Sequence, residues 1–198
     1  MTTLPLFPLR TVLFPGGLLP LRIFEPRYLE LVKHCLREDA RFGVVLLRDG
    51  GETGPVASVA ASGTSARILD FDTLPDGLLG LTCRGERRFR LLRRTTRADG
   101  LHLGEVDWLP EPEPCALDDS QQTLAQLLRR VLDTLGDAQC LLEPRYDDAG
   151  WVSWRIAELL PLDSEARQAL LETADAAGRL RSLEPQLAPL LAALAGES

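Results

Sequence analysis

One lysine (Lys33), two histidines (His34, His102) and four cysteines (Cys35, Cys83, Cys115, Cys140) make up this chain's stock of strong nucleophiles, bases and soft metal ligands. Lys33 stands between Val32 and His34. It has no glycine-rich turn before it and no Ser or Thr after it, so it cannot serve a phosphate-cradling loop. A Ser–Lys dyad would need the same lysine, which falls in a helix predicted to begin at Pro26, away from any serine in a nucleophile context. Zinc ligands usually come in pairs two to four residues apart, and none of the cysteines does so. His34 and Cys35 are helix neighbours pointing about 100° apart, a poor chelating geometry. The cysteines therefore read as small buried hydrophobes and the histidines as surface residues. The carboxylate pairs Asp118-Asp119 and Asp147-Asp148 read as caps or loops at helix boundaries. No catalytic residue, metal ligand or cofactor is expected.

A second chemistry is written in Arg84, Arg87, Arg88, Arg90, Arg93, Arg94 and Arg97. Clustered arginines are a signal for nucleic acid, and Arg87, Arg88, Arg90 and Arg94 form the candidate basic patch. Against it stands a formal net charge of −7, whose mean field repels phosphate. Arg88, Arg90 and Arg94 alternate as an exposed strand face would, with Phe89 and Leu91 turned to a core. A solvated or ion-paired strand face is the favoured reading, followed by an acidic protein partner and then by nucleic acid, the case of an RNA-binding module.

Positioning these residues requires two kinds of structure. Residues 1–110 read as mostly β. Prolines at 5, 8, 15, 20 and 26 exclude a continuous helix, and they direct their segments to sheet edges, first strand positions or bulges. Phe14-Pro15-Gly16-Gly17 is a turn whose glycines accept positive φ. Glu25 and Arg27 flank Pro26 at the start of the helix, where capping and local pairing are expected. Strands are expected at Phe42–Leu47 (buried on both faces), Val56–Ser62, Ala66–Phe71, Leu78–Cys83, Arg87–Thr95 and Leu101–Trp108. That many short strands with one helix suggest a small closed or half-closed barrel. Residues 111–117, rich in Pro and Glu, form a semi-rigid linker.

From 118 to 198 the period changes to 3.6. Leu124, Leu127, Leu128, Val131, Leu132 and Leu135 share one helical face that needs a docking partner, with Gly136 closing the helix. Burying six such side chains is worth on the order of 10 kcal/mol gross. Trp151–Leu160 and Asp163–Thr173 are further helices, the second capped by Asp163 or Ser164. Pro185 and Pro189 are expected to break the last leucine-rich stretch into short pieces. Together these give four or five helices.

Three motifs in order resemble the Lon protease N-terminal (substrate-binding) domain family. They are the Leu4–Arg10, Phe14-Pro15 and Leu19–Tyr28 opening; Gly63-Thr64, Asp76-Gly77 and Gly85–Leu91; and Ile156–Leu162 followed by Arg167–Glu172 and Arg179-Leu180. The similarity spans nearly the whole chain. It implies an α+β fold: an N-terminal PUA-like β-pseudobarrel with one helix, then a C-terminal helical subdomain. It also implies a non-enzymatic module that binds unfolded or exposed apolar polypeptide segments, through a groove or patch formed by the barrel and the helices. The chain reads as that domain standing alone, without motor or protease module.

Phe14, Arg27, Tyr28, Trp151 and Trp154 are the candidate peptide contacts, since aromatics dominate binding hot spots. The competing readings are local pairing for Arg27, a half-buried packing role for Tyr28, and core against the barrel for both tryptophans. No apolar run reaches the roughly 20 residues of a membrane span, and no early basic-then-apolar segment marks a signal peptide. A cytoplasmic location without a membrane role follows as the expectation.

Overall fold

The computed structural model describes residues 2–52, 56–111, 113–135 and 143–195, excluding the side chains of 56, 57, 120, 135 and 188–195. Leu135's side chain, Gly136 and Cys140 thus lie outside the described part. Two compact units are present, Met1–Glu111 and Pro112–Ser198.

The first unit holds strands β1 (Thr2–Leu9), β2 (Leu18–Ile23), β3 (Phe42–Gly50), β4 (Val56–Thr73), β5 (Leu79–Thr96) and β6 (His102–Trp108), with helix α1 (Pro26–Glu38) between β2 and β3. The strand order is β2-β5-β4-β3-β1-β6, and β5 pairs β6 as well, so five strands close into a ring. One side of β5 serves two partners in succession, β2 along residues 79–84 and β6 along residues 89–96. This is the expected pseudobarrel with its single helix.

Proline placement follows local pairing. Pro20 lies in β2, the terminal strand of the order, where its missing N–H is tolerated. Pro5 and Pro8 lie in β1, an interior strand, contrary to the expectation that such segments sit at edges. The resolution is that β1 pairs β6 only over residues 2–6 and β3 only over residues 6–9. Each proline therefore has a partner strand on one side alone.

Four expected short strands are in fact two long ones. Val56–Ser62 and Ala66–Phe71 are halves of β4, and Leu78–Cys83 and Arg87–Thr95 are halves of β5. The glycines that looked like breaks are points of close approach. A Cβ at Gly63 would lie 2.3 Å from the Val44 carbonyl oxygen, and one at Gly85 would lie 2.3 Å from that of Phe14. The Phe14–Gly17 turn docks there: Gly17 N–H donates to Phe14 O (3.0 Å), Gly16 N–H to Gly85 O (2.8 Å) and Gly85 N–H to Gly17 O (2.9 Å). Gly16 takes φ 72°, which only glycine adopts freely.

α1 buries Tyr28, Leu31, Val32 and Cys35, one face at i, i+3, i+4 and i+7. They join Phe7, Leu21, Phe42, Val44, Leu81 and Cys83 in the main core. A smaller core gathers Leu4, Leu6, Val45, Phe89 and Val106. Phe42–Leu47 is buried throughout, as its unbroken apolar run implies.

The second unit holds α2 (Asp119–Leu135), α3 (Ala149–Leu159), α4 (Ser164–Glu172) and α5 (Ala176–Ala195). Asp118 Oδ1 accepts from Gln121 N–H at 2.9 Å while Asp118 N–H donates back to Gln121 Oε1 at 3.3 Å, a reciprocal cap. Asp148 and Asp163 cap α3 and α4 by accepting from Gly150 N–H and Ala166 N–H. Leu124, Leu128 and Leu132 of α2 are buried, whereas Val131 is exposed. α5 runs unbroken through Pro185 and Pro189, correcting the expected fragmentation. Proline removes one helical hydrogen bond, and here the freed carbonyl belongs to Arg181; both residues are exposed, so water can take up that bond. Among the described residues, no helix is long and apolar enough to cross a membrane.

Candidate functional site

β4 and β5, at 18 residues each, are two to three times as long as the 6- to 9-residue β1, β2, β3 and β6. The end of the β4–β5 hairpin therefore forms a three-stranded surface with β2 alone. Register aligns Pro20, Thr82 and Asp70 in one row, Leu21, Leu81 and Phe71 in the next, and Arg22, Gly80 and Asp72 in a third. Leu21 and Leu81 of the middle row face the core. Rows alternate faces, so the first and third point outward together.

A groove of about 670 Å³ lies here, within the first unit, with mainly apolar walls. Gly80 leaves room for Leu74, whose Cδ2 would stand 2.8 Å from a Cβ at that position. Pro20 and Pro75 add apolar surface, and Phe71, 55% exposed, borders the groove from the middle row. Phe24, equally exposed, follows β2 at the same end of the sheet. The rim is charged by Arg22, Asp70, Asp72 and Asp76, and Arg22 bridges to Asp76 in the hairpin turn. This arrangement can hold an apolar side chain and offer charge beside it; it contains no nucleophile–base pair.

The sequence-derived candidates sit elsewhere. Phe14 is fully buried beneath its own turn. Tyr28 is buried and stacked on Phe7 with ring centroids 3.9 Å apart; desolvation pushes its hydroxyl up to about 12, against a smaller opposing effect of Arg27. Trp151 meets Tyr146 edge-on at 5.1 Å, and Trp154 lies 3.4 Å under the Arg179 guanidinium; both indoles are buried. These four aromatics are core residues, which corrects their reading as exposed anchors: each fills a space its neighbours leave.

Arg27 lines a second, polar hollow of about 450 Å³ with Glu25, Thr96, Asp99, Gly100 and His102. It pairs with Glu25 (2.8 Å) and donates to Gly100 O (3.0 Å), strapping the start of α1 to the β5–β6 turn. Glu25 therefore pairs locally, and its side chain caps no helical N–H. His102 is buried, not at the surface, with Nδ1 3.0 Å from Thr96 Oγ1. Burial lowers its pKa, and the nearby Arg94 and Arg27 charges lower it further, so the ring is neutral at pH 7.

The arginine patch is also corrected. Arg88 is buried although it stands in regular register with the exposed Arg90 two residues on. Arg87 pairs with Glu111 (3.4 Å) and covers Trp108; Arg93 pairs with Glu105 (3.8 Å). Arg90 is exposed and Arg94 half-buried. Arg87, Arg90 and Arg93 are thus exposed, two of them within ion pairs, in keeping with the favoured reading of an ion-paired strand face.

Sequence reasoning passed over Phe71, taking it for the end of an ordinary strand. A usable signal was present: an aromatic between Asp70 and Asp72, just before the Leu74-Pro75-Asp76-Gly77 turn. Among the described residues, no group of three or more His, Cys, Asp or Glu is placed to hold a metal ion.

Comparison with known proteins agrees with this architecture. Residues 3–188 match the model of the ATP-dependent protease La (LON) substrate-binding domain. The chain is 30% identical over 185 residues to Lon protease 2 of Myxococcus xanthus, covering 90% of this chain and 22% of that protein. It is 32% identical over 183 residues to the Lon protease of Paraburkholderia phytofirmans, covering 88% and 23% respectively. The chain thus spans under a quarter of the length of these relatives. A solved Lon N-terminal domain protein from Xanthomonas campestris superposes with TM-score 0.77 at 43% identity, covering 93% of this chain and 98% of that one. The N-terminal domain of Mycobacterium avium complex Lon protease, at 19% identity and TM-score 0.64 over 92% and 96% of the two chains, shares the fold. The chain belongs to the Lon substrate-binding domain family.

Proposed function

We propose that this chain is a non-catalytic polypeptide-binding module that takes up unfolded or exposed apolar protein segments, as an adaptor or regulator of protein quality control in the cytoplasm. The observation that carries this reading is the apolar groove under a half-exposed Phe71, in a chain of the substrate-binding family. An aromatic side chain offers about 200 Å², so covering the 55% exposed here removes roughly 110 Å² from water, worth about 3 kcal/mol gross. Two or three such contacts, less the cost of ordering an extended segment, give micromolar affinity.

The test is binding of a permanently unfolded model protein, read by fluorescence anisotropy at about 150 mM salt, a physiological ionic strength. Micromolar binding is expected, weakened about five- to thirtyfold by Phe71→Ala, the range of a hot-spot loss of about 1–2 kcal/mol. Single-stranded RNA is the control. Its binding, if six or more arginines were engaged, would fall roughly a thousandfold from low to physiological salt. Tight, salt-sensitive RNA binding without affinity for unfolded protein would overturn the reading. The purified chain is further expected to turn over neither ATP nor peptides; turnover abolished by Lys33→Ala would contradict the non-catalytic role.

A further inference from the structure

We infer that the Phe71 groove selects apolar segments flanked by lysine or arginine over acidic ones, which rests on reading that groove as the polypeptide site. Three carboxylates and one guanidinium line it. Arg22 is spent on Asp76, leaving Asp70 and Asp72 as the uncompensated wall. Each of these accepts only the backbone N–H of the next residue, Phe71 N at 2.9 Å and Thr73 N at 2.7 Å. No described Lys or Arg comes within 4.0 Å of either, so two like charges stand together on the outward face of β4 with nothing to neutralise them.

The wall is spaced for an extended chain. Residues two apart in a strand repeat at roughly 6.6 Å on one face. Asp70 and Asp72 keep that spacing, and so do basic residues at positions i and i+2 of an extended segment. A glutamate in either place would meet the wall as a third like charge. The groove's apolar surface from Pro20, Leu74 and Pro75 takes the intervening or neighbouring apolar side chains.

The test uses three fluorescent peptides with one apolar centre, flanked by two lysines, two glutamines or two glutamates, titrated with the full chain. Two exposed ion pairs correspond to roughly three- to tenfold tighter binding of the lysine peptide than of the glutamine peptide at 150 mM salt. The glutamate peptide should bind most weakly, and the spread should narrow at high salt. Asp70→Asn with Asp72→Asn, which keeps both backbone hydrogen bonds available, should bring all three peptides together at the affinity of the glutamine peptide. Equal binding of the three peptides to the native chain overturns this inference and leaves the polypeptide reading standing. An unchanged order of affinities in the double variant overturns it too, because the selectivity would then come from the chain's overall charge. Failure of all three peptides and of the unfolded protein to bind overturns both readings.

Discussion

Phe14 and Phe71 make opposite statements about what a phenylalanine does in this molecule, and Phe14→Ala separates them. Phe14 is 0% exposed, beneath a turn whose backbone is tied to Gly85 on both sides. Removing its ring deletes buried apolar area and leaves a cavity that these hydrogen bonds keep from collapsing, so the loss belongs at about 3–5 kcal/mol. That is a large part of the roughly 5–15 kcal/mol typical of a whole domain. With a urea slope of about 2 kcal/mol/M, the unfolding midpoint followed by far-UV circular dichroism should drop by about 2 M at unchanged slope. Phe14→Leu, which keeps most of the volume, should cost less than about 1.5 kcal/mol. Phe71→Ala removes a ring that is already more than half in water and leaves no cavity, so it should cost only about 2 kcal/mol, the worth of its roughly 90 Å² of buried surface, while weakening polypeptide binding. A Phe14→Ala protein that unfolds at the native midpoint yet no longer binds polypeptide would refute the placement of this residue in the core.

Gly63→Ala should destabilise by about 3 kcal/mol, the upper end of overpacking, because its Cβ meets the Val44 carbonyl at 2.3 Å and backbone cannot yield as a side chain tip can; the urea midpoint reads it. Gly77→Ala, with φ +81° and nothing within 4 Å, should cost only the left-handed strain of about 1–2 kcal/mol. Burial pushes Cys35 up to about 11 and Cys83 up to about 12, so neither thiol should react with iodoacetamide at pH 8 until urea unfolds the chain. Folded pKa values above the unfolded one also mean that this contribution to stability is complete below pH 9 and disappears as pH rises through 11 to 12. His102 acts at the other end of the scale. Its folded pKa is lowered, so stability should fall as pH drops below 6.5, and His102→Asn should flatten that fall in midpoints measured at pH 8 and pH 5.

Much of the architecture was legible because it rests on local signals. The helix from Pro26, the strand run Phe42–Leu47, the change of period after Pro114 and the aspartate cap at 163 are each set by neighbours in sequence. The misreadings share a different cause. Gly63, Gly85 and Pro185 looked like breaks because their intrinsic preferences favour breaks, whereas tertiary contacts or water supply what each residue lacks. Arg88 was assigned to an exposed face with Arg90, and its burial is a tertiary fact that alternation along β5 does not show. The aromatics were misplaced on the functional side. Phe14 and Tyr28 stand in the opening motif and Trp154 on a helix, and all three were candidate peptide contacts, but their rings are buried. Phe71 was read as the end of an ordinary strand and stands half in water, since only the register of three strands shows that its end of β4 outruns the barrel.

The terminal strand beside the groove carries a consequence for the molecule's own solubility. Under the proposal that the groove takes up unfolded chains, strand-forming segments come next to β2, which pairs only β5 among the described residues. An unbroken row of free amides there would template such segments into a growing sheet. Pro20 sits at the middle of that row and has no amide to give, and Arg22 puts a charge two residues on. Under that proposal the edge would border on a bound segment without being extended by it, so that uptake at the groove would stay reversible instead of seeding a fibre.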